Sequence, residues 1–206
     1  MTPDPQDRKL PVIPPPGERI RVIIDSDAKG EIDDQWAISL AILSPERFDI
    51  EGFVGVHFDT SRGGPDSIAR SVREIELVLD KAGMADRWPV LHGSHPMRYS
   101  RESSMSAGVE FIIDRAMASS PDDPLWVIGL GAATDMASAY LAEPRIVDRV
   151  VAFWHLRTRW PTKCYNFNVF GDIHAARTLF HSPLSFVLFD TGTHPVSYTH
   201  LTLPTN

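Results

Sequence analysis

The chain has a single cysteine, Cys164, in 206 residues. One thiol excludes an intramolecular disulfide and a zinc site built on several thiolates, and it suits a reducing compartment. Long apolar runs are missing as well. Nothing approaches the roughly 20 consecutive apolar residues that span a bilayer, so no membrane-embedded segment is expected. Basic residues are outnumbered, 20 Lys and Arg against 27 Asp and Glu, for a net charge of −7. No Lys/Arg stripe recurs on one face, so the footprint of a nucleic-acid binder is absent. The opening "MTPDPQDRKLPVIPPPGERI" lacks the apolar stretch of a secretory signal. Together these absences point to a cytoplasmic protein with neither a nucleic-acid nor a membrane partner.

What is present suits one domain with a sizeable core. Residues 1–17, rich in Pro and charge and without period, read as a disordered lead-in, and the domain is expected over residues 18–194. "IRVIID" reads as a buried strand. "DDQWAISLAILS" follows as a helix whose Trp36, Ile38, Leu40, Ala41 and Leu43 are expected to pack against a sheet. The alternation continues with strands in "FDIEGFVGV", "LWVIGL", "RVVAFW" and "LSFVLFD". Helices are expected over Pro65–Lys81, Gly108–Met117, around Asp135–Leu141, and within "FNVFGDIHAARTLF". Such alternation implies an α/β fold, a mostly parallel sheet with helices on both faces. Ligand sites in such folds lie at the carboxyl ends of the strands. From residue 195 the pattern stops. "VSYTHLTLPTN" reads as a non-native tail, with native sequence expected to end near His194 and to continue in the natural protein.

The first strand runs into five acids within ten positions: Asp25, Asp27, Glu31, Asp33 and Asp34. Carboxylates this close repel, and burying them without partners is costly. The residues alone leave two readings open. A hard divalent cation with oxygen ligands would compensate the charge, calcium tolerating irregular loop geometry better than magnesium. Alternatively, the acids form a solvated turn in which Asp33 or Asp34 favours the dipole of the next helix.

The wider pattern resembles the nucleoside hydrolase family. "DSDAKGEIDDQW" is similar to that family's D-x-D-P-G-x-D-D-A, "GLGAATDMASAY" to its A-L-G-P-L-T-N stretch, and "YNFNVFGDIHAA" to its A-E-F-N-x-x-x-D-P-x-A-A segment. The three occur in family order and cover residues 21 to about 190. The resemblance implies a calcium ion bound by Asp27, Asp34 and the carbonyl of Thr134. It makes Asp33 the general base, Asp25 a supporting carboxylate, and Asn166 and Asn168 the ribose-binding residues. The implied reaction is calcium-dependent hydrolysis of the N-glycosidic bond of a ribonucleoside or related N-riboside. The parent would be a homo-oligomer, as many family members are, and this fragment weakly active or inactive.

Several positions depart from the family pattern. Five residues, "AKGEI", separate Asp27 from Asp33 where the family has three, and Lys29 is placed to neutralise part of the cluster. His57 and Phe58 stand near the family's substrate-binding Asn, Asn166 replaces a glutamate, and Trp160 lies near another lost Asn. These changes keep open a non-catalytic nucleoside- or sugar-binding module on the same fold. A magnesium-dependent phosphotransferase using Asp25 as nucleophile is the other rival.

Overall fold

The computed structural model describes residues 8–58, 64–157 and 165–190. The suspected tail and the residues around Trp160 and Cys164 lie outside them.

Strand β1 (Ile20–Ser26) is buried on both faces, as its nearly unbroken apolar run requires. It pairs in parallel with β2 (Phe48–Gly55) on one side and with β4 (Leu125–Gly129) on the other. The sheet order is β3-β2-β1-β4-β5-β6, all pairs parallel, with β3 at Val90–His92, β5 at Val150–Arg157 and β6 at Ser185–Asp190. The expected parallel α/β architecture is therefore observed. β3 has no counterpart in the reading of the sequence, because three residues leave no periodicity to detect.

Pleating sends alternate side chains to opposite faces and so builds two cores. Ile23, Val127 and Ala152 face α3 (Ala107–Met117), α4 (Thr134–Ala142) and α6 (Ile173–His181), meeting Val109, Ile112, Met136 and Leu179. Val22, Ile24 and Phe53 face the layer of α1 (Asp33–Ile42) and α2 (Ser67–Lys81), meeting Ile38, Ile42, Ile75 and Leu79. A short helix, α5 (Phe167–Gly171), precedes α6.

Helix α1 corrects one expectation. Ile38 and Ala41 are buried as predicted, but Trp36, Leu40 and Leu43 are exposed, each by about two thirds of its surface. The helix is apolar on nearly every side, so its periodicity could not choose the inward face.

Residues 8–19 form neither helix nor strand but are tied to the domain at two points. The Arg8 guanidinium donates to the carbonyls of Leu179, Phe180 and Ser182 at the end of α6, and that of Arg47 donates to those of Pro14, Pro15 and Glu18.

The turn after β4, Gly129–Leu130–Gly131, holds two other groups close. A Cβ on Gly129 would stand 1.8 Å from the Trp154 ring, and one on Gly131 would stand 2.8 Å from Asp27 Oδ1. Trp154 is fully buried and its indole N–H donates to the Gly131 carbonyl at 2.9 Å. Gly129→Ala is expected to destabilise the fold by about 3 kcal/mol or more, because a buried indole must move. Denaturant midpoints of the two proteins check this; a loss within about 0.5 kcal/mol would contradict the packing.

Candidate active site

Strand order reverses between β1 and β4, so the loops leaving these neighbours diverge to opposite faces and open a crevice at their carboxyl ends. The acids line that crevice from both loops. Alternation along β1 puts Asp25 on the α4 side and Ser26 on the α1 side. Accordingly, Ser26 Oγ donates to Asp34 Oδ1 at 2.5 Å, while Asp25 faces Asp135.

Asp25 is wholly buried and neither carboxylate oxygen has a hydrogen-bond partner. Burial, then the charges of Asp135 and Asp27, push its carboxyl well above the ordinary range. Asp27 is 5% exposed and is raised in the same way, by burial and then by Asp34, Asp33 and Glu31. Asp34 rises to about 7, chiefly through burial, with the Ser26 hydrogen bond opposing the shift. The charges acting on all three carboxyls are negative. Lys29 does not relieve them: it pairs with Glu74 on α2 at 2.6 Å. Burial this deep also leaves Asp25 poorly placed as the nucleophile of a phosphotransferase.

Asp33, the expected base, is the first residue of α1 and is only partly buried. The longer "AKGEI" connection is accommodated by a tight turn, Gly30 N–H donating to the Asp27 carbonyl at 2.6 Å. Thr134 opens α4 and is completely buried. Its hydroxyl donates to Asp172 Oδ2 at 2.8 Å and lies 2.7 Å from His57 Nε2. Asn166 Oδ1 accepts from Val169 N–H and caps α5. Asn168 donates its amide to the carbonyls of Leu130 at 2.7 Å and His155 at 3.0 Å, tying α5 to the β4 turn and to β5.

The structure thus gathers Asp25, Asp27, Asp33 and Asp34 into one electrostatically coupled group, while Asn166 caps α5 and Asn168 holds backbone carbonyls of β5 and the β4 turn. It adds two buried acids that sequence reasoning passed over. Asp135 accepts from Ser94 N–H at 2.7 Å and Ser106 Oγ at 3.4 Å, leaves Oδ2 unpaired, and rises to about 7, chiefly through burial. Asp172 accepts from Thr134, from Met97 N–H and from Ala175 N–H. The available signals were an acid among the small residues of "GAATDMAS" and an acid just before the "IHAARTLF" helix.

Among the described residues, no three His, Cys, Asp or Glu side chains close on a point tightly enough to hold an ion by themselves. In chemistry, however, the group suits a hard cation. Its donors are all oxygen, its charge is in excess, and three buried carboxylate oxygens on Asp25 and Asp135 lack partners. No helix among the described residues is long and apolar enough to cross a membrane.

Comparison with known proteins gives a consistent outcome. The family model described as inosine-uridine preferring nucleoside hydrolase matches residues 22–203. An inosine-uridine preferring nucleoside hydrolase from Leishmania major is 30% identical over 139 residues, covering 65% of this chain and 41% of that protein. A plant nucleoside hydrolase structure superposes with a TM-score of 0.62 at 20% identity, over 86% of this chain and 61% of that one. A purine-preferring ribonucleoside hydrolase from Gardnerella vaginalis gives 0.63 at 22% identity, over 83% and 60%. The chain therefore spans less than two thirds of the length of these relatives.

The raised carboxyls fix the sign of a pH effect in metal-free protein. Between the ordinary carboxylate value of 3.8 and about 7, folded Asp34 holds a proton that the unfolded chain has released. Stability must fall as pH rises through that window and level off above it. In chelator-treated protein, Asp34→Asn is expected to recover roughly 2–4 kcal/mol at pH 8 and little at pH 4. Urea midpoints at the two pH values check this; equal effects at both would contradict it.

Proposed function

The chain belongs to the inosine-uridine preferring nucleoside hydrolase family, and from that premise we propose that its site hydrolyses the N-glycosidic bond of a ribonucleoside or related N-riboside with the help of calcium. The observation that carries this reading is the buried set of Asp25, Asp27 and Asp34, whose mutual repulsion no basic group among the described residues relieves. Asp27, Asp34 and the Thr134 carbonyl would hold the ion. When bound, calcium would offset the carboxylates and acidify the attacking water.

The remaining roles follow from the residues. Asp33, less buried than its neighbours and at the start of α1, takes the proton from the attacking water. Oxygen bonds to the anomeric carbon as the carbon–nitrogen bond breaks and the base departs with the electron pair. Positive charge grows on the sugar ring in that step, and nearby carboxylates stabilise it. Asp25, shielded from substrate, shapes the field around Asp27.

A second reading is a module that binds a riboside without turning it over. It draws on Asn166 and Asn168, whose side chains cap α5 and hold the Leu130 and His155 carbonyls. Neither side chain is kept in reserve for ribose alone.

Release of free base and ribose from inosine, uridine and other ribonucleosides by the full-length parent, with calcium and after chelation, separates the two readings, this shorter chain being expected to turn over weakly or not at all. Hydrolysis that chelation abolishes and that Asp33→Asn lowers at least a hundredfold is expected. Calcium-dependent riboside binding with no base released would favour the binding module.

A further inference from the structure

One buried chain of hydrogen bonds joins four segments. Thr134 Oγ1 lies 2.8 Å from Asp172 Oδ2 and 2.7 Å from His57 Nε2, while the same Asp172 oxygen accepts from Met97 N–H at 2.8 Å. The other oxygen, Oδ1, accepts from Ala175 N–H at 2.9 Å and caps α6. His57, Thr134 and Asp172 are each at most 4% exposed, so water does not compete for these bonds.

The direction of the chain follows from counting hydrogens. An ionised carboxylate only accepts, and a threonine hydroxyl has one hydrogen to give. Thr134 gives it to Asp172, so its oxygen can only accept on the other side. The hydrogen between Thr134 and His57 must then come from His57 Nε2. In a neutral imidazole this leaves the lone pair on Nδ1.

We propose that Asp172 is a positioning residue: acting through the Thr134 hydroxyl, it sets His57 in the Nε2–H form and makes Nδ1 a hydrogen-bond acceptor beside the acidic crevice. His57 follows the carboxyl end of β2, and its Cε1 is 3.9 Å from where a Cβ on Gly171 would stand, between β2 and the end of α5. An acceptor there suits a donor such as a sugar hydroxyl. That last role rests on the hydrolase reading; the tautomer does not.

Asp172→Asn makes the assignment testable because it reverses the direction. With the amide oxygen kept at Oδ1 to cap α6, the amide nitrogen takes the place of Oδ2, donates to Thr134 and gives up the bond from Met97 N–H. The Thr134 hydroxyl then turns to His57 Nε2, which must accept, and the ring hydrogen moves to Nδ1.

The experiment is nitrogen-15 NMR of His57 in ligand-free protein at pH 8, where an ordinary imidazole is neutral. Nε2–H is expected in the unaltered chain and Nδ1–H in Asp172→Asn. Should that variant fail to fold, Thr134→Ser and Thr134→Val carry the test, the first retaining Nε2–H and the second shifting toward Nδ1–H. Nδ1–H in the unaltered chain, or Nε2–H persisting in both Asp172→Asn and Thr134→Val, would overturn the proposal. No substrate is involved, so a failure here leaves the hydrolase reading standing, and absence of base release leaves the tautomer assignment standing.

Discussion

Repulsion among buried carboxylates is the constraint on which the rest of this structure depends. Asp25 and Asp135 are wholly buried, and Asp27 and Asp34 nearly so, at the point where two neighbouring parallel strands send their loops to opposite faces. A fold does not gather such charge without something to offset it, because desolvation alone costs several kcal/mol per ion. In the protein by itself, protons perform that role, and the carboxyls move upward accordingly. A hard cation would do so more effectively, and it would turn a source of instability into a reactive centre.

The surrounding architecture serves to hold these acids where they are. The Gly129–Gly131 turn lets Trp154 and Asp27 come close, and the Trp154 indole returns a hydrogen bond to the Gly131 carbonyl. Asp172 draws in Thr134, the loop at Met97 and the start of α6, while Asp135 fixes the same loop at Ser94. Asn168 joins α5 to the β4 turn and to β5. Each of these groups is buried and polar, and each has found a partner from a different element. Such networks hold positions closely, since losing one member strands the others.

Much of this was legible in the sequence, for identifiable reasons. Central strands β1 and β4 are buried on both sides and so appear as apolar runs, and the five acids at and after the end of β1 fall within ten positions, so their crowding needs no fold to be seen. Helix α1 was harder to orient, because Trp36, Leu40 and Leu43 alternate with the inward Ile38, Ala41 and Ile42. Asp135 and Asp172 escaped notice because their partners are long-range. An acid at the start of a helix reads as a cap until the sheet brings β1 and β4 together and sets Asp135 against Asp25. Asn166 and Asn168 were singled out by the family resemblance, and only the fold shows that Asn168 reaches the carbonyls of Leu130 and His155.

The most direct measurement is a calorimetric calcium titration near pH 6, repeated in buffers of different ionisation heat, with magnesium as the comparison. If the buried acids await a hard cation, calcium binds at one site and protons are released, because carboxyls held protonated by burial must ionise to become ligands. The heat then depends on the buffer. Saturable binding without proton release, or no binding at all, would contradict the claim that the acidic crevice is built around a cation.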